Sequence, residues 1–480
     1  MSDYKKPRRT KIVATLGPAT DDPAVLEGLI QAGVDVVRLN FSHGHADEQK
    51  KRALMVKELS AKQGRHVGIL ADLQGPKIRI ARFKNDKVTL KKGEPFIIDT
   101  QLSATAGDEK QVGCDYKELA QDVTEGDRLL LDDGRIVLNV DAVEGSKVLC
   151  TIVVAGILSN NKGINLQGGG LSASALTTKD KEDIKTAAQI GVDFIAVSFP
   201  RSADDMHQAR ALVEAAGSHA HLIAKIERAE ALDVLEEMID ASDIVMVARG
   251  DLGVEIGDAN LPPVQKSIIR MARDRNTAVI TATQMMESMI HNAIPTRAEV
   301  FDVANAVADG TDAVMLSAET SIGQYPIQTV EAMGRICEET ERQPRTIRSR
   351  HRMGKQFGRI DEAIALSAMY VANHTAIKAI AAFSVSGSTP MQMSRISSGI
   401  PIFAMVPDAK ICRRVTMYRG VVPVLLKAPK NLSTDVNQAA ISKLKELKIV
   451  DVNDLVIITV GEMTGQHGGT NTMKIKQVEP

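Results

Sequence analysis

Eight short apolar runs rich in β-branched residues recur along the chain: KIVATLG from Lys11, VDVVRLNFS from Val34, HVGILADL from His66, FIAVSFP from Phe194, HLIAKIE from His221, DIVMVARGDL from Asp243, AVITATQM from Ala278 and DAVMLSAET from Asp312. Helical-looking segments separate most of them, and this alternation predicts a (β/α)8 TIM barrel. Most runs close on charged or hydroxyl residues. In such a barrel the loops after the strands carry the active site, so these closing residues are candidates for chemistry.

Residues two apart share a face of a strand. Arg38, Asn40 and Ser42 are therefore expected to point one way, as are Lys225 with Glu227, Arg249 with Asp251, and Ser317 with Glu319. Charges buried inside a barrel without purpose would each cost several kcal/mol of desolvation, which favours a functional reading of these pairs.

The run spacing is fairly regular except between HVGILADL and FIAVSFP, where well over a hundred residues intervene. There VTLKKGEPFIIDT, DRLLLDDGRIVLNVDAV and KVLCTIVVAGIL alternate apolar and polar positions between glycine-containing turns. This predicts a small β-barrel cap domain over 76–171, inserted into a barrel made of 1–75 and 172–341. The basic stretch RQPRTIRSRHRMGKQFGR reads as a linker. Beyond it, KAIAAFSV, PIFAMV, VVPVLL, LVIITV and MKIKQV alternate with helical patterns, which predicts an α/β domain over 342–480. Its first strand runs into SVSGSTP, a hydroxyl-rich turn ahead of a helical pattern that suits either a phosphate or an ordinary helix cap. Neither a P-loop nor a GxGxxG fingerprint occurs.

Composition narrows the function. With 59 basic and 60 acidic residues in 480, the chain lacks the charge of a dedicated nucleic-acid or membrane-surface protein. Four widely spaced cysteines form no CxxC, and no apolar run is long enough to span a membrane, so a cytoplasmic location is expected. Glu227 and Asp251 close adjacent strand runs without His or Cys partners, a donor pair suited to magnesium or manganese. Lys225 shares a face with Glu227, and Arg38 and Arg79 add phosphate-binding cations. Cations and a metal without a nucleophilic Cys suggest phosphoryl transfer or enol chemistry.

The segments TLGPAT, RLNFSHG, GPKIR, KGINL, AKIERAEAL, VARGDLGVEI, TATQMMESM, PTRAEVFDVANAV and DAVMLSAET, in this order over nearly the whole chain, resemble pyruvate kinases. The resemblance implies transfer of the phosphoryl group of phosphoenolpyruvate to ADP, giving pyruvate and ATP, by a homotetramer. It implies that Glu227 and Asp251 hold the divalent metal and that Lys225 stabilises the phosphoryl group and the enolate. Gly250, Asp251 and Thr283 would hold the substrate carboxylate, and Arg38 the transferring phosphate. His43, Asn40, Arg79 and Lys162 would serve the nucleotide, and Thr283 with Ser317 the protonating water. Ser384, Ser386, Gly387, Ser388 and Thr389 would take the phosphate of an allosteric effector.

The chain departs from the pattern of potassium-dependent members. Asn40, Ser42 and Asp72 are present, but Leu73 stands for a Thr and Lys77 for a Glu. The Lys77 ammonium is expected to replace the potassium charge, since a unit charge about 5 Å from a phosphate is worth roughly 3 kcal/mol at an effective dielectric near 20. Magnesium-dependent lyases and an inactive metabolite-sensing scaffold are the rival readings. ADP dependence of pyruvate release separates the first, and Lys225→Met the second.

Overall fold

In the computed structural model, which describes residues 6–347, 352, 354, 356–426, 435–461 and 468–480, all eight runs form strands. They are β1 (Lys11–Thr15), β2 (Val36–Asn40), β3 (Gly68–Asp72), β4 (Phe194–Val197), β5 (His221–Ile226), β6 (Ile244–Ala248), β7 (Ala278–Ala282) and β8 (Ala313–Leu316). Each pairs in parallel with its neighbours in sequence, and β8 pairs with β1 to close the barrel.

Every strand is buried on both faces, which explains why the runs are continuously apolar. Along β1, Ile12 and Ala14 pack outward against the helices, whereas Val13 joins Leu70, Phe194, Ile223 and Met246 in a second cluster. That second cluster continues into the C-terminal domain through Met369, Ile402 and Met417.

The helices start where side chains can cap them. Thr296 accepts from the Glu299 N–H at 3.3 Å while the Glu299 carboxylate accepts from the Thr296 N–H at 2.7 Å, a reciprocal box that opens Arg297–Asp309. Thr177 and Asp180 do the same for Thr178–Ile190. The other oxygen of Asp180 accepts from the Gly75 N–H at 3.1 Å, at the junction between β3 and the inserted domain. Gly75 has φ +64, and a Cβ there would lie 2.7 Å from that of Ser198, so only glycine fits this turn.

The insertion is almost all β. A six-stranded sheet and a two-stranded pair wrap one apolar core that includes Phe96, Leu129 and Leu138. Isolated bridges such as Arg79 to Gly163 tie its edges together. The C-terminal domain is a five-stranded sheet whose central strand is Ile377–Phe383 and whose last strand, Thr470–Gln477, is antiparallel. Of the basic linker, Pro344–Ile347 forms a helical turn, while 348–351, 353 and 355 lie outside the described residues. All four cysteines are free and buried. Among the described residues no helix is long and apolar enough to cross a membrane.

Candidate active site

At the C-terminal mouth of the barrel, Lys225 on β5 stands at the centre of a charged cluster. Its ammonium lies 2.9 Å from Glu227 Oε1 and 3.3 Å from Asp72 Oδ1, and it donates to Ser198 Oγ at 2.7 Å. Asp72, at the end of β3, also accepts from Arg38 Nε at 2.6 Å, and Arg38 Nη1 donates to Thr15 Oγ1 at 3.2 Å. β1, β2, β3 and β5 thus each supply a polar side chain to one linked network, and the chain just beyond β4 and β5 adds Ser198 and Glu227.

Burial sets the charge states. It opposes ionisation of Asp72, but the adjacent Arg38 and Lys225 charges prevail and hold the carboxyl below the usual aspartate range. Burial likewise disfavours the Lys225 ammonium, yet Asp72 and Glu227 raise it above an ordinary lysine, so Lys225 stays charged. Glu227 is pushed up by burial and then by the Asp251 carboxylate, against the pull of Lys225.

That repulsion between two carboxylates is what a bound cation relieves, so Glu227 and Asp251 fit a divalent metal. Among the described residues no group of three or more His, Cys, Asp or Glu is placed to hold a metal, and the remaining ligands would have to come from water and substrate. Glu227 is further oriented by the Phe199 N–H, which donates to Oε2 at 2.8 Å from a left-handed backbone at φ 57.

Strained backbone recurs at β7. Thr283 and Gln284 have φ 66 and 53, unusual above all for a β-branched residue. The Thr283 hydroxyl donates to Ala282 O at 2.7 Å and accepts from the Gly250 N–H at 2.9 Å, which fixes it at the head of Arg249–Ile256. Asp251 in the same helical turn meets Lys77 from the other side of the cleft.

The expected pairing of Arg249 with Asp251 does not hold, nor does that of Ser317 with Glu319. β6 and β8 end at Ala248 and Leu316, and the chain turns helical there, so residues two apart diverge by roughly 200°. Arg249 turns to Asp302 at 2.7 Å and to the carbonyl of Thr283. Glu319 is buried behind the site, accepting from the N–H groups of Ser317 and Met286.

The structure brings Arg38, Asp72, Lys77, Lys225, Glu227, Gly250, Asp251 and Thr283 to one mouth, but not every candidate. His43 is exposed, and its carbonyl accepts from Gln49. Asn40 accepts from the Ser42 N–H at 3.0 Å. The Leu73 carbonyl accepts from Ser198 Oγ at 2.7 Å. Arg79 reaches the Asn161 carbonyl, and Lys162 pairs with Asp132 at 2.7 Å, both within the inserted domain. In the C-terminal domain, Gly387 has φ 87 and its N–H donates to Ser384 Oγ at 2.9 Å, while the N–H of Ser388 leans on Ser386 Oγ at 3.4 Å. The buried Thr389 hydroxyl is engaged with Thr470. Ser198 and Thr15 were missed, although each sits in the closing part of its run, the position that marked the other candidates.

Residues 7–330 match the family described as pyruvate kinase, barrel domain, and residues 362–476 match pyruvate kinase, alpha/beta domain. The chain belongs to the pyruvate kinase family. It is 55% identical over 476 residues to pyruvate kinase II of Salmonella typhimurium, covering 98% of this chain and 99% of that one. It is 54% identical over 469 residues to the pyruvate kinase of Haemophilus influenzae, covering 97% of each. The crystal structure of a pyruvate kinase from Cryptosporidium parvum superposes with a TM-score of 0.92 at 32% identity, covering 98% of this chain and 96% of that one. Membership makes the chain a phosphotransferase whose reactants and products are phosphoenolpyruvate, ADP, ATP and pyruvate. A divalent metal requirement comes with the pyruvate kinase family in general.

Proposed function

We propose that the chain uses magnesium to transfer the phosphoryl group of phosphoenolpyruvate to ADP without a need for potassium. The observation that carries this reading is Lys225, an ammonium locked between Asp72, Glu227 and Ser198 with Arg38 beside it. Glu227 and Asp251 would hold the metal, which supplies charge neutralisation for the substrate oxygens.

In the forward direction the bond between phosphorus and the enol oxygen breaks, and a bond forms from a terminal oxygen of ADP. Arg38 and Lys225 offset the charge carried by the phosphoryl group, and Lys225 then offsets the enolate oxygen. Protonation at the methylene carbon by water, positioned by Thr283 and Ser317, yields pyruvate. Gly250, Asp251 and Thr283 orient the carboxylate, fixing the reacting geometry. Arg79, His43, Asn40 and Lys162 serve the nucleotide, Lys162 from a cap domain over 76–171.

Potassium independence is supported by the charge at Lys77, in reach of Asp251, and by Leu73 in place of a hydroxyl. We assign the barrel to 1–75 with 172–341 and the regulatory domain to 342–480, in a cytoplasmic homotetramer. The loop from Ser384 to Thr389 is the place for a phosphorylated effector, supported by its hydroxyls and the left-handed Gly387.

The test is pyruvate formation from phosphoenolpyruvate with magnesium and tetramethylammonium as the sole monovalent cation. Release that requires ADP and proceeds before potassium is added is the expected result. Release without ADP would move the assignment to a lyase.

A further inference from the structure

Ser198 stands one residue beyond β4 and level with Lys225, because Val197 pairs with Ala224 in the parallel register of β4 and β5. We propose that Ser198 is a positioning residue for the reaction, a buried neutral acceptor that aims the Lys225 ammonium at the substrate oxygens. The inference rests on the reading of Lys225 as the group that offsets charge on the phosphoryl and enolate oxygens, and it adds what holds that group in place.

The bonds of the ammonium are the first reason. A lysine ammonium has three N–H donors and no acceptor. Lys225 meets Glu227 Oε1 at 2.9 Å, Asp72 Oδ1 at 3.3 Å and Ser198 Oγ at 2.7 Å. Two of these partners are carboxylates, and Ser198 is the neutral one and the closest. A carboxylate attracts the ammonium from any direction, whereas a hydroxyl holds it through one directed bond. Ser198 therefore tethers Nζ at a third point besides the two charges. Without it the ammonium settles between Asp72 and Glu227, and its charge is taken up by them instead of by the substrate.

The hydroxyl is itself held. Its proton goes to the Leu73 carbonyl at 2.7 Å, with Asp72 Oδ1 farther off at 3.5 Å, so its lone pairs are left to face Lys225. Leu73 in turn donates its N–H to the Ala196 carbonyl at 3.0 Å, which continues the ladder between β3 and β4. The turn at Gly75 presses on Ser198 from behind, since a Cβ on Gly75 would lie 2.7 Å from the Ser198 Cβ and 2.9 Å from its carbonyl oxygen. Ser198 is 1% exposed, which keeps water from competing for the hydroxyl.

The next residue does the same for the partner charge. The Phe199 N–H donates to Glu227 Oε2 at 2.8 Å, while Glu227 Oε1 faces Lys225. Two consecutive residues after β4 thus fix both charged groups at the end of β5. A purely structural Ser198 would matter only for its bond to Leu73, and losing that bond would lower stability without touching turnover.

Steady-state kinetics of Ser198→Ala and Ser198→Cys, each alone and combined with Lys225→Met, test this, with turnover scaled to the folded fraction from denaturant titration. Ser198→Cys keeps the volume but offers only a weak acceptor, so it serves where Ser198→Ala folds poorly. Either variant is expected to lower the turnover number about a hundredfold, the scale of displacing a catalytic group by about 1 Å, with the KM for phosphoenolpyruvate changed less than about threefold. In the Lys225→Met background the same substitutions should change turnover less than about twofold, because their effect passes through the ammonium. An equal loss with and without Lys225, or a loss that disappears once scaled to the folded fraction, would overturn the positioning role. Turnover kept by Lys225→Met would overturn the reading of Lys225 and this proposal with it, whereas its loss beside indifferent Ser198 variants would overturn this proposal alone.

Discussion

Lys77 Nζ lies 3.0 Å from Asp251 Oδ1, joining the start of the inserted domain to the head of the helix after β6, with the two side chains 29% and 21% exposed. The contact places a fixed cation beside Asp251, one of the two carboxylates proposed to hold the metal. Lys77→Glu would put a third carboxylate there. Its activity in tetramethylammonium is expected to fall about a hundredfold, following roughly 3 kcal/mol for a charge about 5 Å from a phosphate. Added potassium should recover part of that loss while changing the unmutated enzyme less than about twofold. Initial rates over a potassium series decide it, and identical potassium responses in the two proteins would sink the role of Lys77.

Lys225→Met removes the ammonium that Asp72, Glu227 and Ser198 hold in place. The turnover number is expected to drop by about a thousandfold, the scale of losing a group aimed at developing charge. Binding of phosphoenolpyruvate, followed by direct titration, should change far less. A parallel loss in both would mean that Lys225 acts on the ground state.

Glu255 supplies a pH signature. Burial, followed by the nearby Glu230, pushes its carboxyl up to about 7, and it accepts from the Ala229 N–H at 2.8 Å and from Asn165 of the inserted domain at 3.4 Å. Because the folded value is raised, the folded protein holds the proton more tightly than the unfolded chain. That contribution is complete below the unfolded value near 4.5 and is lost as pH rises through about 7. Between those limits the loss should be on the order of 3 kcal/mol. Denaturant midpoints at pH 5 and pH 8 should therefore converge in Glu255→Gln. An unchanged gap would place the titrating group elsewhere.

Arg395 and Asp312 form an ion pair in which both side chains are 1% exposed, at the junction of the C-terminal domain and the foot of β8. Arg395 also donates to the Thr277 carbonyl at 2.7 Å, and the Arg419 N–H donates to Asp312 at 3.0 Å. Arg395→Met leaves the carboxylate buried without its cation, at a cost of about 3 to 5 kcal/mol. A lower unfolding midpoint and faster proteolysis between barrel and C-terminal domain are expected, with the KM for phosphoenolpyruvate unchanged in the folded fraction. Stability equal to the parent would show that backbone donors alone satisfy Asp312.

Strand order, the position of the insertion and the candidate carboxylates were all legible along the chain. A strand buried on both faces must be apolar throughout, and a helix start needs a cap such as Thr296 with Glu299, so these features are written in local spacing. The same spacing misled at Arg249 and Ser317, because a period of two applies only while the chain stays extended.

The residues of the chain by themselves determined the eight strands, the two added domains, the family and the charged groups at the strand ends. Tertiary structure decided which of those groups meet. Asp72 bridges Arg38 and Lys225 because closing the barrel sets β2, β3, β4 and β5 side by side, and Lys77 reaches Asp251 across 174 positions of sequence. Contacts between distant segments follow from how elements pack in three dimensions, and a local repeat of apolar and polar residues holds no record of that packing.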